Sequence, residues 1–235
     1  MAQNVLIGTF ADDTAILTSH ADPQTASTTT QNYLNTLQQW LTKWKVKVNE
    51  NKSAHISFTL RKEVCPAVTI NNIQIPQKQT VKYLGLHLDA KLTWKQHLAK
   101  KKKQINIKTM ELQWLLGRNS RLSIDNKLLI YKTIIKPIWT YGLELWGCST
   151  KSNVAIIQRS QSKILRQIVN APWYVTNHTL HTDLQVPTVQ EAIRKKAITH
   201  HNSIENHPNQ LMEQLLEPVS NKRLKKLWPS ELLLS

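Results

Sequence analysis

The fold is decided by residues 5–18, whose sequence is Val-Leu-Ile-Gly-Thr-Phe-Ala-Asp-Asp-Thr-Ala-Ile-Leu-Thr. Two short apolar, β-branched runs, residues 5–10 and 14–18, flank Ala11, Asp12 and Asp13. Apolar runs around such a short polar connection are typical of a β-hairpin. The sequence therefore predicts a hairpin that carries two carboxylates at its tip.

Adjacent aspartates in such a turn suit a two-metal phosphoryl-transfer site. Carboxylate oxygens bind Mg²⁺, and rigid strands hold them in place. An Asp-Asp pair is also an ordinary hairpin turn, and from Asp12 and Asp13 alone this purely structural interpretation is favoured. The choice between the two depends on the sequence that follows.

The remainder of residues 1–90 has an α+β pattern. Asp22-Pro23 is typical of a helix start, with the acid as cap and the proline in the first turn. Apolar residues then recur at spacings of three and four and predict one buried face: Tyr33, Leu34, Leu37, Trp40, Leu41 and Trp44. Strands are predicted over 46–48, 54–60, 68–70 with 73–75 around Asn71-Asn72, and 81–88.

From residue 91 the pattern becomes helical. Helices are predicted at about 93–117, 123–147 with a kink at Pro137, 151–170, 188–206 and 209–217, with a break at Pro172 and the polar stretch 176–182. We divide the chain into residues 1–90, 91–171 and a basic segment, 172–235.

The charge indicates a polyanionic partner. The chain has 31 Lys and Arg against 15 Asp and Glu, a formal net charge of +16. Residues 1–90 hold 8 basic and 6 acidic groups, whereas residues 91–235 hold 23 and 9, so the second segment is expected to face phosphates. A membrane surface or plain solvation is the alternative; nucleic acid is favoured because no aromatic-rich amphipathic helix accompanies the charge.

Other chemistry is indicated weakly. Two cysteines, Cys65 and Cys148, exclude a disulfide scaffold and a four-cysteine zinc site, and they favour an intracellular location, cytoplasmic or nuclear. The sequence shows no signal-peptide pattern and no membrane-span pattern. Five histidines have spacings that match no zinc pattern: His178, His181, His200, His201 and His207.

Several motifs, in order, resemble the reverse transcriptases of jockey-like non-LTR retrotransposons. Residues 10–13 are similar to the (Tyr/Phe)-Ala-Asp-Asp motif, and residues 49–53 to an Asn-x-x-Lys-Ser segment that follows a Trp-containing helix. Residues 81–89 resemble the Tyr-Leu-Gly primer grip. Further similar stretches are 91–97, 141–147 and 181–184. The resemblance covers nearly the whole chain and favours the catalytic interpretation of the aspartates.

The resemblance implies a fold and a site. It implies a partial palm (a small antiparallel sheet with a packed helix), an all-α thumb and a C-terminal helical extension, corresponding to the three segments above. Asp12 is the expected principal Mg²⁺ ligand, with Asp13 supporting. The family's third aspartate and its fingers have no counterpart in the sequence given, so the chain alone is expected to be inactive.

The remaining site residues come from the same resemblance. Lys52 is expected near the incoming triphosphate, and the alternative is a lysine in a solvated loop. Tyr83, Leu84 and Gly85 are expected near the primer end, and the alternative is a core strand that contains a glycine. Nucleic-acid-binding residues are expected in the thumb, because the lysine run lies in the positively charged part of the chain after residue 90; a solvated face is the alternative. They are Lys95, Lys100, Lys101, Lys102, Lys103, Lys108, Arg118 and Arg121. Similar cations are Lys132, Lys136, Arg159, Lys163 and Arg166. Trp114, Trp139, Trp146 and Trp173 could stack on bases, but their helical spacing among Leu and Ile favours the core.

The predicted parental function is RNA-directed DNA synthesis. Expected partners are an RNA template, a DNA primer or an RNA/DNA hybrid, and deoxynucleotides, without a membrane. The alternative is a nucleic-acid-binding protein without catalysis, a relic or a host-adopted module. A further possibility is self-association through an unpaired edge of the palm sheet.

Overall fold

The computed structural model describes residues 5–61, 65–205, 207–209, 212, 215–216 and 227–232. The chain divides into two compact units, residues 1–92 and 93–235. The described part of the first unit contains three two-stranded antiparallel sheets and one long helix, and that of the second is helical. This composition agrees with the predicted α+β class.

The predicted hairpin opens the first unit and is confirmed. Strands β1 (Val5–Phe10) and β2 (Asp13–Thr18) pair in antiparallel register from Val5 opposite Thr18 to Phe10 opposite Asp13. Ala11 and Asp12 form the two-residue connection, and Ala11 has φ 52°. A positive φ in a two-residue turn matches the right-handed twist of the paired strands.

Helix α1 (Pro23–Lys43) packs on this hairpin. Its first turn is capped by the Asp22 carboxylate, which accepts hydrogen bonds from the Thr25 N–H at 2.7 Å and the Thr25 hydroxyl at 2.6 Å. Leu34 forms a small core with Val68 and Ile75. The buried face is narrower than predicted, because Trp40 and Trp44 at the end of the helix are exposed.

Two further hairpins complete the first unit. Strands β3 (Thr69–Ile70) and β4 (Ile73–Gln74) flank Asn71 and Asn72, which both have positive φ, as predicted for a tight turn. Strands β5 (Thr80–Tyr83) and β6 (Leu86–Asp89) occupy the predicted strand region 81–88 and pair as a hairpin.

Two predicted strands are wrong. Residues 46–48 form no strand, because Lys45 adopts φ 56° and turns the chain back, so that the Val46 N–H donates to the Leu41 carbonyl at 2.9 Å. Residues 54–60 contain only a bridge between His55 and Gln77. At that bridge the His55 N–H donates to the Pro76 carbonyl at 3.0 Å, whereas the Thr59 N–H donates to the Ala90 carbonyl at 3.1 Å. The segment thus changes partner between residues 55 and 59, and no continuous ladder forms.

The second unit consists, in its described part, of eight helices and two short irregular turns of helix. The helices are α2 (Lys95–Glu111), α3 (Gln113–Leu116), α4 (Ile124–Ile130), α5 (Lys136–Thr140), α6 (Leu143–Trp146), α7 (Lys151–Val169), α8 (Asn177–Asp183) and α9 (Val189–Glu205). A π-helical turn, Tyr131–Ile135, joins α4 to α5, and a 3₁₀ turn covers Pro229–Glu231.

The predicted helices are found with two corrections. The segment 123–147 is interrupted by the π turn before Pro137 and again at Gly142, which has φ 66°. The polar stretch 176–182, predicted as a break, contains α8. The Thr176 hydroxyl caps that helix by accepting from the Thr179 N–H at 3.1 Å, and Leu180 is buried. The helix predicted at 209–217 falls mostly outside the described residues.

The core of the second unit is large and aromatic. Its fully buried side chains are Trp139, Trp146, Tyr131, Leu98, Ile105, Leu116, Ile135, Leu143, Ile157, Leu165, Ile193 and His97. Trp139 and Trp146 are therefore core residues, as predicted. The same prediction is wrong for Trp114 and Trp173, whose side chains lie on the surface because they project from a four-residue helix and from a loop. Among the described residues no helix is long and apolar enough to cross a membrane.

Candidate functional site

The two carboxylates stand at the tip of the β1–β2 hairpin. Asp12 occupies the second turn position and Asp13 begins β2, and both are exposed. Phe10 pairs with Asp13, so the Phe10 and Asp13 side chains lie on the same face of the hairpin. A short turn between paired strands fixes their backbone positions, so two oxygen donors are presented from a rigid support.

Tyr83 lies against that same hairpin face. A Cβ built on Gly8 would lie 3.7 Å from the Tyr83 hydroxyl oxygen. Because side chains alternate along a strand, Gly8, Phe10 and Asp13 share a face. The first unit therefore brings the predicted primer-grip tyrosine to the face that carries Asp13, two residue pairs from the tip.

The turn after Tyr83 has an unusual backbone. Leu84 has φ 44° and Gly85 has φ 76°, so both central residues of the β5–β6 turn are left-handed. Glycine adopts this conformation freely, whereas leucine rarely does. The predicted group Tyr83, Leu84 and Gly85 is thus a tight hairpin turn with the tyrosine on its first strand.

Lys52 lies in a closed turn organised by Asn49. The Lys52 N–H donates to the Asn49 carbonyl and to the Asn49 side-chain oxygen, both at 3.2 Å, and the Ser53 hydroxyl donates to the same carbonyl at 3.0 Å. Each of these hydrogen bonds joins residues three or four positions apart. They therefore account for the spacing of Asn49, Lys52 and Ser53 in this segment. The Lys52 side chain is exposed, so its ammonium is accessible to an anionic ligand.

The same turn is tied to the β3–β4 hairpin through Glu50. The Glu50 carboxylate accepts a hydrogen bond from the Asn71 side chain, and this bond is the main cause that lowers the pKa of Glu50. The Asn71 N–H in turn donates to the Gln38 side chain on α1 at 3.3 Å. Lys52 is therefore presented from an anchored loop of the first unit.

A complete metal site is not formed by protein groups in the described part of the chain, where no three His, Cys, Asp or Glu side chains form a cluster. Asp12 and Asp13 supply oxygen donors of the kind that Mg²⁺ prefers. Two protein carboxylates fit this ion, because Mg²⁺ commonly takes its other ligands from water and substrate phosphates.

The predicted phosphate-facing lysines lie on α2. Leu98 and Ile105, together with His97, bury one side of this helix. The exposed lysines of the helix are Lys95, Lys100, Lys102 and Lys103. Lys108 is less exposed and forms an ion pair with Glu111 three residues later. The predicted cations of α2 therefore differ in how far they extend into solvent.

Lys101 differs from its neighbours in the lysine run. Its ammonium lies 5.3 Å from the centre of the Tyr141 ring, and burial lowers the pKa of Lys101. The two side chains line a cavity of about 380 Å³ between α2 and α5, with Gln104, Ile107, Lys108, Pro137 and Ile138. Lys101 is thus half-buried against an aromatic ring, a favourable position for a cation.

The cations near α3 and α4, two of them predicted contacts, have different environments. Arg118 and Arg121 lie between α3 and α4, and both are exposed. Lys127 is buried, and its ammonium donates to the Gly117 carbonyl at 2.9 Å, at the C-terminal end of α3 where a positive charge is stabilised. Lys127 therefore has a structural role.

Sequence reasoning missed Lys195 on α9. Burial, and then the positive charges of Lys132 and Lys195, lower the pKa of Lys136. Lys132 of the π turn and Lys195 of α9 thus lie close enough to Lys136 of α5 to disfavour its charged form. The available signal was the run Arg194-Lys195-Lys196, to which sequence reasoning assigned no role.

His181 has a structural environment. Its Nδ1 lies 2.7 Å from the Val186 carbonyl, and its Nε2 lies 2.9 Å from the Gln158 amide nitrogen. A carbonyl accepts only, so Nδ1 donates and Nε2 accepts. The ring therefore joins α7, α8 and the segment before α9, which agrees with the absence of a recognisable zinc spacing among the histidines.

Comparison with known proteins gives one consistent relationship. Residues 1–88 match the family described as "Reverse transcriptase (RNA-dependent DNA polymerase)". The chain is 36% identical, over 97% of its length, to "RNA-directed DNA polymerase from mobile element jockey" of Drosophila funebris, and it covers 26% of that protein.

Two further relatives come from Drosophila melanogaster. The chain is 34% identical to "Probable RNA-directed DNA polymerase from transposon X-element", over 97% of the chain and 25% of the relative. It is 37% identical to that species' "RNA-directed DNA polymerase from mobile element jockey", over 91% and 23%. The chain thus spans about a quarter of the length of these relatives. No solved structure matches it significantly.

Proposed function

The chain belongs to the reverse transcriptases of jockey-like non-LTR retrotransposons, and we propose that it supplies part of the palm and the thumb of such an RNA-directed DNA polymerase. Because the chain spans about a quarter of its relatives, template-directed synthesis is proposed for the longer polypeptide. The 235 residues alone are expected to bind nucleic acid without extending a primer.

The observation that carries the proposal is the shared face of the β1–β2 hairpin. Asp13 and Gly8 lie on that face, and the Tyr83 hydroxyl lies next to Gly8. Asp12 is beside the face, in the turn at the tip. A metal-binding carboxylate and a primer-positioning group have to be close together for nucleotidyl transfer. The position of the Tyr83 hydroxyl beside the hairpin face that carries Asp13 supports this proposal.

The proposal gives each site residue a role. Asp12 and Asp13 would hold Mg²⁺, the ion that reverse transcriptases generally use; when bound, it would neutralise charge on the triphosphate. Tyr83, Leu84 and Gly85 would position the primer end, and Lys52 would face the triphosphate of the incoming deoxynucleotide.

The second unit would bind the backbone of the template-primer duplex. The exposed lysines of α2, with Arg118 and Arg121, are the proposed phosphate contacts, and Lys132, Lys136 and Lys195 are a second cationic group. Phosphate contacts release counterions, so the affinity for an RNA/DNA hybrid should fall steeply with salt.

The metal assignment can be tested without catalysis. Mn²⁺ added to the labelled chain should broaden the backbone amide signals of residues 10–14, because a bound paramagnetic ion relaxes nearby nuclei. Asp12→Asn should abolish the broadening, whereas Asp22→Asn, which removes a helix-capping carboxylate of the same unit, should leave it unchanged. Equal broadening in the Asp12→Asn variant would contradict the assignment.

The thumb assignment is tested by charge removal. The triple variant Lys100→Gln, Lys102→Gln, Lys103→Gln should reduce the slope of log affinity against log salt by roughly one for each phosphate that is no longer neutralised. The matched control replaces Lys43, Lys45 and Lys47 of the first unit by Gln and changes the net charge equally. Equal effects of both triples would show that only overall charge matters.

Binding without catalysis is the second candidate function. The exposed cations of α2 favour it, because phosphate binding requires no metal. Mg²⁺-dependent and Asp12-dependent primer extension by the purified 235-residue chain would reject this candidate and would also reject the expected inactivity of the chain alone.

A further inference from the structure

The loop between α7 and α8 exposes two large aromatic side chains. Trp173 is 90% exposed and Tyr174 is 69% exposed. Their ring centres lie 6.0 Å apart at an interplanar angle of 80°, an edge-to-face pair. We call these two residues the aromatic pair. Because exposed aromatic area is costly in water, a pair of this size indicates a partner.

The loop that carries the aromatic pair is held by Arg166. The guanidinium donates to the carbonyls of Pro172, at 3.0 Å, and Val175, and to the Asn177 side chain at 3.0 Å. These anchors lie on both sides of the aromatic pair. A loop fixed in this way loses little conformational entropy when a ligand binds, so its two rings form a preorganised surface.

Arg166 also places the aromatic pair at the end of a basic stripe. Arg159, Lys163 and Arg166 recur at spacings of four and three, so they share one face of α7, away from the buried Ile157, Ile164 and Ile168. We call this face the basic stripe. Since Arg166 binds carbonyls next to the aromatic pair, the stripe leads directly to it.

The stretch of sequence that carries this surface has charge of one sign. The sequence contains no Asp or Glu between Glu144 and Asp183, a stretch that includes α7, the loop and most of α8. Arg159 and Lys163 are exposed and form no ion pair within the described part of the chain. A partner of this surface should therefore carry regularly spaced negative charge as well as flat apolar groups.

We propose that the aromatic pair stacks on unpaired bases of a single-stranded nucleic acid whose phosphates contact the basic stripe. Nucleic acid combines both required properties, because every base has a π-face and every nucleotide a phosphate. The inference shares its partner class with the proposed function but uses residues outside the palm and α2. Base pairs inside a duplex are not its ligands, since both of their faces are already stacked.

The test compares two single-stranded oligonucleotides of equal length, one with bases and one with a central run of abasic sites. Trp173→Ala should weaken binding of the normal strand about tenfold and leave binding of the abasic strand unchanged, because only the former can stack. Trp173→Phe, which keeps an aromatic ring, should retain most of the affinity, whereas Trp173→Leu should not.

The control is Trp40→Ala, which removes an exposed indole from the first unit and should change neither affinity. The inference is overturned if Trp173→Ala has no effect, if it weakens both strands equally, or if Leu substitutes as well as Phe, the last being the behaviour of an apolar protein contact.

Binding of an RNA/DNA hybrid duplex by the wild-type chain is measured in parallel, so that failure of the inference and failure of the proposed function can be told apart. If the hybrid binds and the Trp173 variants do not differ from wild type, the aromatic-pair inference alone fails. If the hybrid does not bind at low salt, the proposed thumb fails.

Discussion

The two units of this chain differ in how they use their apolar residues. The second unit buries Tyr131, Trp139 and Trp146 almost completely. The first unit gathers Leu34, Val68 and Ile75 into a small core and leaves Leu6 at 72% and Phe10 at 65% exposure. The unit with the polymerase motifs is therefore built from hairpins with little buried area, and the helical unit should contribute most of the stability.

Three of the exposed apolar residues of the first unit share one face of the β1–β2 hairpin. Leu6, Phe10 and Leu17 lie on the face that also carries Asp13 and Gly8. Hairpin register and turn conformation maintain this face without burying it. A face that carries candidate site residues can thus be specified locally, by hydrogen bonds and turn residues, while global stability depends on a core elsewhere in the chain.

The largest expected difference between the units comes from removing an indole. Trp146→Ala should lower the free energy of unfolding by about 3–5 kcal/mol, because the ring is fully buried and its Nε1 donates to the Tyr141 carbonyl at 3.2 Å. Trp40 is 52% exposed, so Trp40→Ala should lower the free energy of unfolding by less than about 1 kcal/mol. Denaturant titration followed by circular dichroism measures both. Similar losses would mean that the first unit buries Trp40 in solution.

The two units should also respond to opposite ends of the pH scale. Burial raises the pKa of Tyr131 to about 12 from its ordinary value of 10. The folded state thus retains a proton that the unfolded state releases, and about 2–3 kcal/mol of stability should be lost between pH 10 and 12. Tyr131→Phe should remove this loss, as measured by unfolding at each pH.

In the first unit, burial lowers the pKa of His55 below 6.5. The folded state therefore resists protonation, and the contribution of His55 is present above pH 6.5 and lost as the pH falls through the lowered value. His55→Gln should reduce the loss of stability of the first unit at acidic pH. It should not change the loss of stability between pH 10 and 12 that is due to Tyr131. If His55→Gln altered the alkaline transition, the two units would not titrate separately.

The effect of an added methyl group on stability should also differ between the two units. A Cβ on Gly147 would lie 2.6 Å from the Leu143 carbonyl oxygen and 2.9 Å from the Ile193 side chain, so Gly147→Ala should destabilise by about 1–3 kcal/mol. On Gly8 the nearest group is the Tyr83 hydroxyl at 3.7 Å, an ordinary contact. Gly8→Ala should therefore change stability by less than about 0.5 kcal/mol. Thermal unfolding of both variants provides the comparison.

Local patterns predict the elements that depend on local interactions. The β1–β2 hairpin, the Asn71-Asn72 turn and the long helices follow from apolar periodicity and turn residues. The strands predicted at 46–48 and 54–60 are wrong because a strand also needs a continuous neighbour. Lys45 has a positive φ and turns the chain, and residues 54–60 change partner between His55 and Thr59. Local patterns miss helix α8 because its composition is polar and its stability depends on a cap and on two buried residues.

The candidate site shows the same division. Residue types and their order predict Asp12, Asp13 and Tyr83 as members of one site. They do not predict the separate environments within the lysine run, because Lys101 faces Tyr141, which lies forty residues away in the sequence. Nor do they identify Lys195 beside Lys136, since helix packing brings those cations together.

The sequence by itself determined the hairpin with its two acids, the concentration of positive charge after residue 90, and the relationship to reverse transcriptases, because each depends on residue identity and short-range spacing. Only the tertiary structure decided which aromatic rings are core and which are surface. Trp139 and Trp173 have similar apolar neighbours in sequence, yet one fills the helical core and the other projects from a loop that Arg166 holds. Burial depends on what the rest of the chain packs against a side chain, and that information is not local.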